Sequence, residues 1–231
     1  NSVSLSGNRL IVGAPYNNAG GSYRGAAYIF YKDQGGSDNW GQVTKISASD
    51  AADYDYFGFN VDIADDIAIV GAYENDDAGA ASGSAYIFYR NQGGSDNWGE
   101  IKKITASDAD AGDNFGYDVC ISGSYALVGA YRNSDAGASS GSAYIFEQNT
   151  GGADNWGEIK KLTASDAAAD DRFGYATEIN DEYAVIGAYQ RTDLYNEAGA
   201  AYIYQKNLGG SNNWGELKKL TASDASGGDN F

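Results

Sequence analysis

Hydrophobic and polar residues along the chain follow the short apolar runs and two-residue alternation of β-strands, and no stretch shows the 3.6-residue period of a helix. In the third quarter of the chain, residues 117–121 alternate up to a turn at 122–124, and the run YALVGAY over 125–131 is apolar throughout. An apolar segment over 142–146 and a half-charged segment over 158–163 follow. This spacing predicts four short antiparallel strands, of which the second is covered on both faces.

The strand pattern repeats every 58 residues, so the chain divides without a gap into the units 1–58, 59–116, 117–174 and 175–231. Two sets of aromatic residues keep this step: Trp40, Trp98, Trp156 and Trp214, and Phe57, Phe115, Phe173 and Phe231. Tandem units of four short antiparallel strands are typical of β-propeller blades. We therefore expect one all-β domain over residues 1–231. Its four blades are expected to close into a four-bladed ring, and the alternative is a part of a larger propeller or filament.

Two short motifs in each unit resemble those of a known family. Phe115-Gly116 is followed after one strand by Val128-Gly129-Ala130, and the other units hold similar pairs. These residues resemble the FG-GAP repeat, which is the unit of integrin α-subunit propellers. Their pattern is most similar to the bacterial subtype of this repeat. The resemblance implies a β-propeller of a secreted or cell-surface protein with a role in adhesion or recognition. The integrin calcium loop, of the form D-x-D-x-D-G, is not carried over, because residues 121–125 read ISGSY and supply too few oxygen ligands.

Composition narrows the classes of function. The chain holds no histidine, which excludes a Ser-His-Asp triad and a histidine-ligated zinc. Its 32 acidic residues outweigh 15 basic ones and give a formal charge of −17, which argues against a nucleic-acid partner. No apolar run approaches the roughly 20 residues of a membrane span. The single Cys120 cannot form an internal disulfide, and the acidity, with the resemblance, favours an extracellular or cell-surface location.

Two groups of residues are candidates for ligand binding. The four tryptophans lie in glycine-rich segments, such as GGSDNWG around Trp40, where they either stack on sugar rings or cap the blades. The loop between the second and third strands varies most between units, which marks either a recognition surface or a solvated loop free to drift. The candidates in this loop are Asn17, Tyr23, Asp76, Asp77, Asp135, Asp193 and Tyr195. The expected partners are a glycan, a cell-surface protein or further copies of the chain.

Aspartates recur where one unit meets the next, in the motif Ser-Asp-x4-Asp-x-Phe. Clustered carboxylates on a turn are candidates for binding Ca²⁺, the one cofactor considered, or for accepting backbone amides in Asx turns. The candidate ligands are Asp50, Asp55, Asp108, Asp110, Asp113, Asp166, Asp170, Asp171, Asp224 and Asp229.

Three functions fit these observations: a non-catalytic binding or adhesion module, a structural subunit of an extracellular assembly or filament, and a propeller hydrolase with a carboxylate pair. Catalysis needs one asymmetric constellation, whereas each acidic position recurs in nearly every unit. Cys120 has no histidine to activate it. The sequence therefore favours a protein that binds and is not an enzyme.

Overall fold

The computed structural model describes residues 2–18, 20–192 and 197–231, and the regular secondary structure in these residues is entirely β-strand. The first two blades contain β1 Val3–Ser6, β2 Arg9–Ala14, β3 Ala26–Lys32, β4 Trp40–Ile46, β5 Val61–Ala64, β6 Ile67–Ala72, β7 Ser84–Tyr89 and β8 Gly99–Ile104. The last two blades contain β9 Val119–Ser122, β10 Tyr125–Ala130, β11 Ser142–Glu147, β12 Gly157–Leu162, β13 Phe173–Ile179, β14 Tyr183–Ala188, β15 Ala200–Gln205 and β16 Gly215–Leu220. No helix capable of crossing a bilayer occurs in the described part of the chain.

Each blade is a four-stranded antiparallel sheet built from one 58-residue unit, with its strands in sequence order. In the third blade, β10 (YALVGA) is buried at every residue, as its apolar run predicted. The outer strand β12 (GEIKKL) is mostly half-buried, and its lysines leave a charged sheet edge that opposes pairing with another edge. The chain then passes from this outer strand to the inner strand of the next blade.

Most of the hydrophobic core of the described residues lies between successive blades, in three clusters. Phe115 is fully buried between the second and third blades, where its ring meets those of Tyr144 and Phe146 edge-on at 5.5 and 5.9 Å. Gly71 permits the close approach of these blades, since a Cβ there would lie 2.0 Å from the carbonyl oxygen of Gly116. The internal blades therefore pack through buried phenylalanine rings and through backbone contacts at glycine.

The described residues do not form the closed four-bladed ring that the repeat count favoured. Val3 and Leu5 on β1 are 64% and 62% exposed, although the same positions are buried in the second and third blades. Phe231, at the far side of the fourth blade, is 48% exposed and does not plug a junction with the first blade. Asn1, the first residue of the first blade, lies outside the described residues. The four blades form an open series because the first and fourth sheets do not cover each other's apolar faces.

Candidate recognition surface

Three of the four tryptophans are buried where blades meet. The indoles of Trp98, Trp156 and Trp214 are 1% exposed, and Nε1 of Trp98 donates a hydrogen bond to the hydroxyl of Tyr31 at 2.9 Å. A buried ring face is closed to a sugar, so the structure corrects the ligand-binding prediction for these three residues. Trp40 is not covered by any blade of the described residues and is 39% exposed.

The aspartates at the junctions are held largely by groups of the protein itself. Asp108 accepts hydrogen bonds from the Tyr144 hydroxyl at 2.9 Å and from Lys161 Nζ at 2.6 Å. Burial acts to raise the pKa of Asp108, but the hydrogen bonds from Lys161 and Tyr144 hold it below its usual value. Asp113 accepts the backbone amide of Asp110, three residues earlier, at 3.1 Å and so closes the turn that carries it. The same two arrangements recur at the other junctions, with Asp50 and Asp166 in the first and Asp55, Asp171 and Asp229 in the second.

These contacts differ from the predicted calcium site. Among the described residues, no group of three or more His, Cys, Asp or Glu side chains is placed so that it could hold a metal ion. A carboxylate that is already paired with a lysine ammonium has little to gain from a cation. In the part of the chain that the structure describes, the candidate ligands are therefore not brought together as a metal centre. Some of them accept backbone amides, as in the turn alternative, and others accept lysine and tyrosine side chains.

The aspartates of the variable loop also serve their own blades. Asp77 and Asp135 form ion pairs with lysines of the outer strands β8 and β12. Asp76 accepts the backbone amide of Ala81 at 2.7 Å. These bonds brace the loops and use much of the hydrogen-bonding capacity that a ligand would need. Two further candidates, Asp193 and Tyr195, lie outside the described residues.

Four tyrosines meet where the first two blades join, two from the loop after β2 and two from the linker after β4. This tyrosine cluster comprises Tyr16, Tyr23, Tyr54 and Tyr56. Tyr23 stacks on Tyr56 with ring centroids 5.8 Å apart and planes 19° apart, and Tyr16 meets both rings edge-on. Tyr16 and Tyr54 are 61% and 54% exposed. The cluster thus presents large apolar rings that carry polar hydroxyls, a combination suited to a partner surface.

Hydrogen bonds hold the loop and the linker that carry the tyrosine cluster. The amide of Tyr54 donates to the carbonyl of Ser22 at 2.8 Å. The guanidinium of Arg24 donates to Asp53 at 2.7 Å and keeps the pKa of that carboxyl below its usual value. Asn17, a predicted candidate, lies in the same loop and donates to a tyrosine hydroxyl of β3 at 3.0 Å. The cluster is therefore presented by a braced surface.

The backbone under three of the cluster tyrosines is left-handed, with φ of 52° at Tyr23, 73° at Tyr54 and 55° at Tyr56. These positions are left-handed in the other units too, but the second unit places Gly112 and Asn114 at the positions of Tyr54 and Tyr56. Glycine and asparagine adopt this conformation readily, whereas a bulky residue is disfavoured by roughly 1–2 kcal/mol. The three tyrosines therefore occupy strained backbone positions, as Glu197 and Arg172 do at the positions of Tyr23 and Tyr56 in other units.

A second set of rings continues from the tyrosine cluster across the inner strands. This aromatic row comprises Phe59, Tyr73, Tyr117, Tyr131, Tyr175 and Tyr189. Tyr56 stacks on Tyr73 at 5.7 Å and joins the cluster to the row. Burial raises the pKa of Tyr73 to about 12, so its hydroxyl remains a neutral donor at physiological pH.

A depression of about 490 Å³ opens beside the aromatic row. It is lined by Phe59, Tyr117 and Tyr175 together with the polar side chains of Asn60 and Asp118. The carboxylate of Asp118 accepts a hydrogen bond from Asn60 Nδ2 at 2.6 Å, and burial raises its pKa to about 6. The depression therefore combines aromatic walls with an amide and a titratable carboxyl.

Sequence reasoning found only the edge of this surface, through Asn17 and Tyr23. It missed Tyr16, Tyr54 and Tyr56, although the aligned units carry a signal. The other three units have no aromatic residue at any position of the tyrosine cluster. A search for residues that break the repeat, rather than for residues that keep it, would have found the whole cluster.

Comparison with known proteins agrees with the architecture. The family model described as FG-GAP repeat matches residues 1–30, 40–88, 98–146 and 156–204. Each of the last three matches begins at a tryptophan and ends in the third strand of the following blade. No curated protein matches the chain significantly in sequence. The matches span most of the chain, and the last three begin 58 residues apart, which is the length of one unit. The chain therefore belongs to the FG-GAP repeat family.

Proposed function

We propose that this protein is a non-catalytic recognition module, extracellular or at the cell surface, that binds another protein through the tyrosine cluster. FG-GAP repeats form integrin-like binding propellers, are typically non-catalytic and are commonly extracellular. The observation that carries the proposal is the gathering of four tyrosines, all particular to the first unit, on one braced junction.

The composition of the loop supports a protein partner. Residues 16–24 read YNNAGGSYR, which is rich in Tyr, Asn, Gly and Ser, as antibody binding loops are. Tyrosine supplies a large contact area at a low cost in side-chain entropy, and asparagine and serine supply adaptable hydrogen bonds. Because the cluster occurs at one junction only, it gives the module a single oriented site instead of one weak site per blade.

A glycan is the second candidate partner, favoured by the depression beside the aromatic row. Its aromatic walls offer stacking surfaces, and Asn60 and Asp118 offer hydrogen-bonding groups to sugar hydroxyls. The depression exposes about as much polar as apolar surface, so it offers a sugar both hydrogen-bonding groups and aromatic contacts.

The test replaces three cluster residues by those that the second unit holds at the same places, in the variant Y23A/Y54G/Y56N. Binding of the fluorescently labelled chain to a panel of bacterial and eukaryotic cells is measured by flow cytometry. We expect the variant to bind at least about tenfold more weakly, since tyrosine anchors contribute strongly to interfaces. Relief of backbone strain offsets the lost ring contacts, so the free energy of unfolding changes by no more than about 1 kcal/mol.

The matched control is Gln190→Ala, which alters the position of Tyr16 in the fourth unit and is expected to leave binding unchanged. Trypsin treatment of the cells abolishes binding if the partner is a protein, whereas periodate oxidation abolishes it if the partner is a glycan. Undiminished binding by the folded triple variant would refute the assignment of the site.

A further inference from the structure

The fourth blade has an apolar side that no other described blade covers. This fourth-blade face comprises Tyr183, Val185, Leu217, Leu220 and Phe231. Val185 and Leu220 are each 37% exposed, and a largely apolar groove of about 550 Å³ lies along Val185 and Phe231. In the third blade the same positions are Leu127 and Leu162, which are buried. The groove is therefore a blade-packing surface that no described blade covers.

The first blade has the opposite side of such a contact exposed. This first-blade face comprises Val3, Leu5 and Trp40. Their counterparts in the second blade are Val61, Ile63 and Trp98, all buried against the first blade. Exposed apolar patches of this kind mark interaction sites in soluble proteins.

The internal contacts show that the two faces are complementary. Between the second and third blades, Ile69 and Ile104 pack in one cluster with Val119 and Ile121. On the fourth-blade face, Val185 and Leu220 stand at the repeat positions of Ile69 and Ile104. On the first-blade face, Val3 and Leu5 stand at the positions of Val119 and Ile121. The two ends of the chain are thus the two halves of an interface that already forms three times within it.

We propose that the fourth-blade face binds the first-blade face of a second copy of this chain, so that copies associate head to tail. Such an interface is heterologous, because it joins two different surfaces. Repetition of the contact closes a ring of copies when the rotation between neighbours allows it, and builds a filament when it does not.

An aromatic contact accompanies the aliphatic one. Between the third and fourth blades, Tyr125 meets Trp214 edge-on with ring centroids 5.6 Å apart. The counterparts of these residues at the two ends are Tyr183 and Trp40. In the proposed contact, the exposed indole of Trp40 therefore packs against Tyr183 on the fourth blade of a second copy.

A hydrogen-bond acceptor is also in place on the fourth blade. Between the inner strands of the second and third blades, the carboxylate of Asp62 accepts the amide of Ile121 at 2.8 Å. Glu178 stands at the position of Asp62, and Leu5 stands at the position of Ile121. The contact between copies thus repeats the polar as well as the apolar features of the internal junctions.

Charge sets the conditions under which copies associate. Each chain carries a formal charge of −17, so two copies repel each other at low ionic strength. Salt screens that repulsion and leaves the apolar contact intact. Association is therefore expected to strengthen as salt is added.

Sedimentation velocity of the full chain over a wide concentration range, at low and high salt, tests the proposal. The unaltered chain is expected to form species that grow with concentration and with salt. Val185→Asp places a charge in the fourth-blade face, and Leu5→Asp places a charge in the first-blade face. Because the contact needs one intact face of each kind, each variant alone remains monomeric. An equal mixture of the two variants retains one intact face of each kind, and it is expected to form a dimer and nothing larger.

Both substituted side chains are exposed in the single chain, so the variants keep their fold, which thermal melts verify. Leu208→Asp, on an exposed loop outside both faces, is the matched control and associates like the unaltered chain. If the unaltered chain stays monomeric at every concentration, the proposal is wrong. Binding of an apolar dye in the groove would not change that conclusion. Failure of the mixed variants to dimerise would equally overturn the head-to-tail arrangement.

Discussion

Phe115 and Phe231 occupy the same position of the repeat and have different surroundings. Phe115 is fully buried between two blades, whereas Phe231 is 48% exposed at the side of the last blade. The residues before them, Asn114 and Asn230, have the same left-handed backbone, with φ of 56° and 54°. The local structure of the motif is thus independent of the next blade, but the burial of its ring is not.

The same contrast holds for charged residues. Lys161 of the third blade pairs with Asp108 from the linker that precedes this blade and with Asp135 from its own loop. Lys45 of the first blade has no described linker before it and donates to the Oδ1 atom of Asn17 at 3.1 Å, as Lys161 also does to its counterpart Asn133. Stability in this chain therefore comes largely from pairs of blades, and within the described residues the first and fourth blades each have one side without such contacts.

The largest expected difference concerns the two phenylalanines. Phe115→Ala should lower the free energy of unfolding by about 3–5 kcal/mol, because it leaves a cavity between blades. Phe231→Ala should lower it by less than about 1 kcal/mol, because much of the ring is already in water. Urea unfolding of both variants measures the difference, with Phe115→Leu as a milder control. Equal losses at the two positions would contradict the comparison.

The next effect concerns a polar contact between internal blades. The pKa of Asp118 is about 6 in the folded protein against an ordinary value of 3.8, so the folded state binds this proton more tightly than the unfolded chain. Stability must then fall as pH rises between these two values. The loss is about 3 kcal/mol, at roughly 1.4 kcal/mol for each pH unit of the shift.

Asp118→Asn removes this titration and isolates its contribution. Relative to the unaltered protein, the variant should gain about 2 to 2.5 kcal/mol between roughly pH 4 and pH 7. Lost hydrogen bonds to Thr177 add an offset that does not vary with pH. Chemical unfolding of both proteins at the two pH values checks the prediction, which fails if their difference in stability stays constant.

The smallest effect concerns the lysines. Lys161→Met keeps the apolar stem and removes the ion pairs with Asp108 and Asp135, which should cost up to about 1 kcal/mol for these partly exposed groups. Lys45→Met should change stability by less than about 0.5 kcal/mol. Thermal melts in low and high salt compare the two variants. A larger loss for Lys45→Met would show that the first blade is not the less supported one.

Much of the architecture could be predicted because the repeat reports the same structure four times. The predicted strand over residues 125–131 became β10 Tyr125–Ala130, and that over 142–146 became β11 Ser142–Glu147. Closure of the ring could not be predicted in the same way. Each blade is complete in itself, and the angle between blades depends on packing that no single unit records.

The candidate site was predicted less well. Asn17 and Tyr23 lie in the candidate recognition surface, but the buried tryptophans do not. A tryptophan in a glycine-rich segment has the same sequence pattern whether its ring is exposed or covered by the preceding blade. The tyrosine cluster joins a loop to a linker about thirty residues later, and that proximity arises only when the two pair through backbone hydrogen bonds.

By itself, the sequence determined the blade: its four strands, its aromatic and glycine positions and its membership of a repeated array. These features follow from alternation and from local backbone preferences, which act within one unit. The tertiary structure alone decided which identical residues are buried, which carboxylates are neutralised and which tyrosines meet. Those outcomes depend on the neighbouring blade, because burial and charge pairing are properties of two surfaces in contact rather than of a position in the chain.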